Sequence, residues 1–157
     1  MKSSRRLLPD TRLAGLVEVR ESGIHGRGVF ALRRIPRGAL LGTYEGRRYS
    51  EQEAARATFD SALTYLFALS DGSTIDGGQG GNATRHLNHA CAPNCEAREV
   101  ATDGVLQLRI HALTRIEAGE ELFLDYALVI DDSEDSALYP CNCGHADCRG
   151  SMAAQSA

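Results

Sequence analysis

Three of the five cysteines in this chain, Cys141, Cys143 and Cys148, fall close together near its end as C-x-C-x4-C. Thiolates grouped in this way suit a structural zinc ion better than a disulfide framework, and an intracellular, reducing address goes with that choice. Tetrahedral zinc takes four nitrogen or sulfur ligands, so one more must arrive from elsewhere. By residue type the candidates are His145 inside the cluster, or His89, Cys91 and Cys95 in the segment RHLNHACAPNC. A ligand from that segment would tie the end of the chain back to its middle. Metal binding would then be folding energy for the tail.

At 157 residues the chain is long enough for one domain with its own core. An apolar fraction of 43% and a charged fraction of 24% are ordinary globular values, which excludes wholesale disorder and fibrous architectures. The net charge of -4 lacks the basic excess that nonspecific phosphate binding needs, so direct binding of nucleic acid is not expected. Pro9, Asp10 and Arg12 interrupt the opening MKSSRRLLPDTRLAGL, so neither a signal peptide nor a membrane segment is expected.

Short apolar pieces, LVEV, GVFAL and ALLGTYEG, are cut by glycine and proline in the manner of short strands and turns. Ser50 with Glu53 forms a capping-box signature, which places one short helix in SEQEAARATF. TYLFALS reads as a strand, GGQGG as a flexible loop, VLQLRIHAL as an alternating strand after the Asp103-Gly104 turn, and EELFLDY as another strand. The expected organisation is an N-terminal extension (1–14), a β-rich domain (15–130), an acidic linker (131–138), a cysteine module (139–151) and a disordered tail (152–157).

In this order, GIHGRGVFALRRIPRGALLGTYEG, TYLFAL, GGNATRHLNHACAPNC, GEELFLDYAL and CNCGHADCRG resemble the SET-domain protein-lysine methyltransferases that carry a post-SET zinc module. The resemblance runs from about Val17 to Gly150. It implies a mainly β fold of several small sheets with one short helix, knot-like C-terminal threading and a zinc-binding tail. It also implies methyl transfer from S-adenosylmethionine to a lysine side chain of a protein, a histone or other basic protein. Position by position, it implies cofactor binding by Gly26, Arg27, Gly28, Tyr65, Arg85, His86, Asn88 and His89. Tyr126 would be the catalytic tyrosine, Tyr44 would shape the lysine channel, and Cys91 would join Cys141, Cys143 and Cys148 on zinc. Cys95 is then the thiol left over, read as buried and inert because a neighbouring histidine in sequence proves neither a base in reach nor an activating environment.

Departures from the family pattern are His86 where an aromatic residue is usual, Ala90 for serine, and Leu124 two residues before Tyr126, where Phe or Tyr is usual. Leu124 is the product-specificity position, and a side chain without a hydrogen bond there suits di- or trimethylation. The acidic run from Asp131 to Asp135 is either a solvated linker or a lip for a basic peptide. The alternative to an enzyme is a non-catalytic, zinc-stapled module that binds a peptide.

Overall fold

A computed structural model describes residues 12–13, 15–24, 26–58, 65–128 and 132–154, with positions 12 and 13 described by backbone alone. Most of the expected N-terminal extension, Asp131 and residues 155–157 lie outside the described residues. Among the described residues eleven strands and one α-helix follow in chain order: β1 Arg12–Leu13, β2 Val17–Glu21, β3 Arg27–Ala31, β4 Leu40–Thr43, β5 Arg47–Tyr49, α1 Glu51–Arg56, β6 Leu66–Ala68, β7 Thr74–Asp76, β8 Asn88–His89, β9 Cys95–Thr102, β10 Val105–Ala112 and β11 Glu121–Leu124. Two 3-10 turns, Ala83–His86 and Ser136–Leu138, complete the set.

The strands form three small sheets, ordered β1-β2-β3-β11-β8, β4-β10-β9 and β5-β7-β6. The mainly β reading holds, with one short α-helix. In β10 the alternation is physical: Leu108, Ile110 and Ala112 are buried while their neighbours are not. β10 turns back on β9 through Asp103 and Gly104, which both take the positive φ of a tight hairpin turn (51° and 78°). The helix begins as the sequence implies, with the Ser50 side chain accepting from Glu53 N–H and the Glu53 carboxylate accepting from Ser50 N–H. None of its residues is buried, so capping rather than packing defines it.

One core unites the sheets. Ile35, Ile75, Ile110 and Ile116 are fully buried within it, each contributing about 1.5–3 kcal/mol of burial energy. Ile35 and Ile116 pair across an isolated antiparallel bridge, which closes the loop after β3 onto the loop before β11. The only parallel pairing among the named strands joins β8 to β11, Asn88 against Phe123 and His89 against Leu124. That pairing brings RHLNHACAPNC against GEELFLDY.

Three features differ from the sequence reading. CEAREVAT forms the eight-residue strand β9, although only Cys95 in it is buried. The loop GGQGG is pinned: Arg47 N–H donates to the Gln79 carbonyl at 2.8 Å, and Gln79 Nε2 donates to Asp76 at 2.9 Å. The tail does not fray at Met152, because Leu128 N–H donates to the Met152 carbonyl and Ala154 N–H to the Leu128 carbonyl, with Ala153 buried between. Backbone pairing of this kind orders a chain end that composition alone marks as loose.

Candidate functional site

A cavity of about 720 Å³ opens where β8, the start of β3 and the chain after β11 meet the tail. Such a volume falls within the roughly 300–1,000 Å³ usual for small-molecule sites. Gly26, Arg27, Tyr65, Arg85, His86, Asn88, His89 and Tyr126 line it from the body, and Leu138, Tyr139, Pro140, Cys141, Asn142 and Met152 from the tail. Seven of the eight residues expected to hold a cofactor therefore share one wall.

Gly28 is the exception and does not line the cavity. A Cβ there would run into the Glu121 carboxylate, so this glycine makes room for Glu121. Glu121 in turn accepts from the Ser22 hydroxyl at 2.8 Å and from Asn88 Nδ2 at 2.9 Å. The same Asn88 nitrogen donates to the Arg27 carbonyl at 3.0 Å. The amide of Asn88 is thus oriented by Glu121 and Arg27 together.

Arg85 and His86 ride on the 3-10 turn Ala83–His86, whose start is capped by the Asn82 side chain accepting from Thr84 N–H at 3.1 Å. Asn82 also donates to the Thr43 carbonyl at 2.9 Å, fixing the turn to β4. His86 meets Tyr65 edge to face at 6.1 Å.

Tyr126 leaves β11 with its N–H donating to His89 Nδ1 at 2.9 Å and its phenol donating to the Leu87 carbonyl. The His89 and Tyr126 rings meet at 5.3 Å and 62°. Burial, with lesser contributions from Tyr65 and Glu121, pushes the Tyr126 phenol up to about 12. It is a neutral donor at any ordinary pH. Tyr44 is buried in the core rather than on the cavity wall, and its hydroxyl donates to the Tyr65 carbonyl at 2.6 Å. A Cβ on Gly77 would stand 2.5 Å from that hydroxyl, so glycine makes the arrangement possible. Burial raises the Tyr44 phenol as well.

A second cavity of about 550 Å³ is lined by Phe67, Pro93, Cys95, Glu96, Glu99, Leu124 and Asp125 among others. Leu124 is only 2% exposed and belongs to the core, but its side of β11 borders this second space. Tyr44 lines neither cavity but contacts a lining residue of each, Tyr65 of the first and Phe67 of the second, the latter edge-on at 4.7 Å.

The four expected metal ligands come together. The Sγ atoms of Cys91, Cys141, Cys143 and Cys148 all lie within 4.8 Å of one another. Cys91 and Cys141 are 3.7 Å apart, against an edge of about 3.8 Å for a tetrahedron with Zn–S bonds near 2.3 Å. The donor set and its spacing fit zinc. Arg149 N–H donates to Cys91 Sγ at 3.3 Å, and His89 Nε2 lies 3.6 Å from the same sulfur. Since His89 Nδ1 accepts from Tyr126, its proton sits on Nε2 and faces the Cys91 sulfur. Burial keeps the His89 pKa below its ordinary value, consistent with a neutral ring. His145, the other histidine candidate, is exposed and is not among the clustered ligands. Cys95 is 1% exposed, and burial pushes its thiol up to about 12. That environment is the opposite of an activated nucleophile.

Four residues of this network escape a reading of motifs. Glu121, Asp125 and Arg149 sit inside GEELFLDY and CRG, where only their charge is visible and their partners are not. Asn94 holds β11 from beside Pro93, donating to the Glu121 carbonyl and accepting from Phe123 N–H, each at 2.8 Å. A run of polar residues around a proline signals a turn and gives no sign of a strand clamp.

Fold and site together define a domain of small β-sheets with a ligand cavity walled on one side by a tail whose three cysteines meet a fourth from the body. The chain belongs to the SET-domain family, whose model matches residues 26–127. It is 38% identical over 137 residues to the human histone-lysine N-methyltransferase 2B, covering 85% of this chain and 5% of that protein. It is 34% identical over 134 residues to an H3 lysine-4 specific histone-lysine N-methyltransferase of Mycosarcoma maydis, covering 82% of this chain and 9% of the relative. The chain thus spans a small part of the length of these relatives. Among solved structures it resembles Arabidopsis thaliana SUVH6 in complex with SAM, at TM-score 0.75 and 28% identity, over 90% of this chain and 33% of that one. It also resembles ctPRC2 bound to S-adenosylmethionine, at TM-score 0.64 and 29% identity, over 72% of this chain and 15% of that one.

Proposed function

We propose that this chain is a protein-lysine methyltransferase domain that uses S-adenosylmethionine and acts on a histone or other basic protein. One observation carries the reading: Leu124 lines the second cavity and Tyr126, two residues later, lines the first, so one short segment of chain reaches both spaces. An in-line displacement needs donor and acceptor held on opposite sides of the transferring group, with water kept out. The first cavity takes the cofactor; the second admits the target lysine.

The cofactor, when bound, supplies an electrophilic methyl group on a sulfonium. Arg27 and Arg85 offer its carboxylate positive charge, and the Tyr65 and His86 rings offer apolar faces. Asn88, oriented by Glu121, presents a polar side chain to the same space. Tyr126 and Tyr44, both protonated and both tied to backbone carbonyls, shape the passage without supplying a base or a competing nucleophile. Loss of the lysine proton is then to water. Cys91, Cys141, Cys143 and Cys148 would hold a zinc ion, which would fasten to the body the tail that walls the first cavity. Glu96 and Glu99 at the second cavity suit a basic peptide, although Glu96 also pairs with Arg98 and Glu99 accepts from Ser70 N–H at 2.7 Å. Leu124, apolar and at the edge of that space, favours di- or trimethylation.

The test is mass spectrometry of a panel of basic proteins incubated with the chain and labelled S-adenosylmethionine, beside Tyr126→Phe. Label on lysine, reduced on the order of a hundredfold in the variant, is the expected result and counts the methyl groups. A chain that shows no cofactor binding by calorimetry overturns the proposal.

A further inference from the structure

The cysteine tail touches the reaction centre through more than its metal. Arg149, directly after the last cysteine, grips Asp125 with both ends of its guanidinium, Nη1 to Oδ2 at 2.9 Å and Nη2 to Oδ1 at 2.8 Å. Asp125 is the residue before Tyr126. Its Oδ1 also accepts from Ala127 N–H at 3.0 Å, on the far side of the tyrosine. Ala127 has a φ of 43°, a left-handed conformation that a non-glycine side chain adopts only when its surroundings hold it.

The segment from Asp125 to Leu128 is therefore fastened from two directions. On the body side, His89 Nδ1 accepts from Tyr126 N–H. On the tail side, Arg149 holds Asp125, while Leu128 exchanges backbone hydrogen bonds with Met152 and Ala154. Arg149 also reaches the metal centre, through its own N–H to Cys91 Sγ. Its side chain is 21% exposed and that of Asp125 29%, so the pair is partly desolvated and loses much when one partner goes. Among the described residues, the Arg149 Nε is the buried side-chain nitrogen left without a partner. A guanidinium that forgoes one hydrogen bond in order to make two parallel ones is set by its carboxylate, not by general solvation.

We infer that Arg149 is a positioning residue for Tyr126, acting through the Asp125 carboxylate and the left-handed turn at Ala127. The tail would then control the angle of the phenol as well as the wall of the cofactor cavity. The inference rests on the proposed role of Tyr126 for its catalytic consequence, and on hydrogen bonding alone for its structural one.

The experiment compares Arg149→Gln, Arg149→Lys and Asp125→Asn in the zinc-loaded chain, each with and without Tyr126→Phe. Three quantities are read: zinc content, amide hydrogen exchange at Tyr126 and Ala127, and kcat against KM for transfer to a protein lysine. Zinc should be retained. Exchange at Tyr126 and Ala127 should accelerate on the order of tenfold in Arg149→Gln and Asp125→Asn, while Leu108 and Ile110 in β10 stay protected. The value of kcat should fall on the order of ten- to a hundredfold with KM for the protein little changed. Arg149→Lys should recover part of the loss, and none of these changes should add to Tyr126→Phe. Unchanged exchange in zinc-loaded Arg149→Gln overturns the inference, and so does zinc loss in both Arg149 variants, which would make Arg149 part of the metal module's folding. Activity lost only in Tyr126→Phe leaves the methyltransferase reading standing without this inference. Accelerated exchange in a chain whose unaltered form transfers no methyl does the reverse.

Discussion

At the scale of the residue, Tyr126 decides how the site responds to pH. Its phenol is buried and raised from 10.0 to about 12, so the folded chain holds this proton more tightly than the unfolded chain does. The stabilisation is complete below pH 10 and is lost as pH rises toward 12. Cys95 acts in the same direction from a lower start, raised from 9.0 to about 12 by burial. Turnover should therefore climb with pH as the substrate amine deprotonates, without a falling limb from the tyrosine below pH 10. Chemical denaturation should show stability dropping from pH 9, where Cys95 begins to contribute, to pH 12, with a smaller drop above pH 10 in Tyr126→Phe. A phenol titrating near pH 8 in ultraviolet difference spectra would contradict the burial argument. The tyrosine itself was legible in the motif LDY, whereas its carbonyl and histidine partners were not, because neither Leu87 nor His89 is near it in sequence.

At the scale of the element, the seam of β3, β11 and β8 sets the orientation of the cofactor wall. Gly28 on β3 leaves room for the Glu121 carboxylate of β11, which reaches Ser22 and, on β8, Asn88. Gly28→Ala should push that carboxylate aside and cost about 1–2 kcal/mol through lost hydrogen bonds. In a Glu121→Ala background the same substitution should cost less, since only the Asn88 side-chain nitrogen, 3.2 Å from the added Cβ, remains to give way. Equal losses in the two backgrounds, measured by urea unfolding, would place the role of Gly28 elsewhere. This seam also marks the limit of local reading. The helix cap at Ser50 and the alternation in β10 are periodic or adjacent signals, and the sequence carries them openly. By contrast, β9 is rich in charge and exists because all of it pairs with β10, from Thr102 against Val105 to Cys95 against Ala112. β8 is only two residues long and exists because β11 lies beside it. Pairing between distant segments leaves no periodicity in either one.

At the scale of the whole molecule, the chain divides into a β core that packs itself and a tail that depends on its ligands. Among the described residues, the core cluster around Ile35, Ile75, Ile110 and Ile116 contains none after 128, and the buried Cys141 and Ala153 of the tail stand apart from it. The tail from 132 to 154 is mostly exposed, and what holds it is the cysteine cluster, the Arg149–Asp125 pair and the backbone bonds at Leu128. Without a cation to bridge its four sulfurs the cluster no longer fastens the tail to the body, so removing zinc should free the tail before it unfolds the core. Thiol titration then has a definite expected course. The zinc-loaded chain should show no reactive thiol at neutral pH. Chelation should expose the four clustered cysteines, while Cys95, at 1% exposure, stays silent until a denaturant opens the core. Cofactor affinity should fall with the first event, because Leu138, Tyr139, Cys141 and Met152 leave the wall of the first cavity together. Five thiols appearing at once on chelation would mean that core and tail unfold as one unit, and the division drawn from burial would be wrong. If instead only the clustered four appear, metal occupancy sets the population of chains with a closed cofactor site, and Cys91, fixed beside β8 in the body, is the point at which the tail is recaptured.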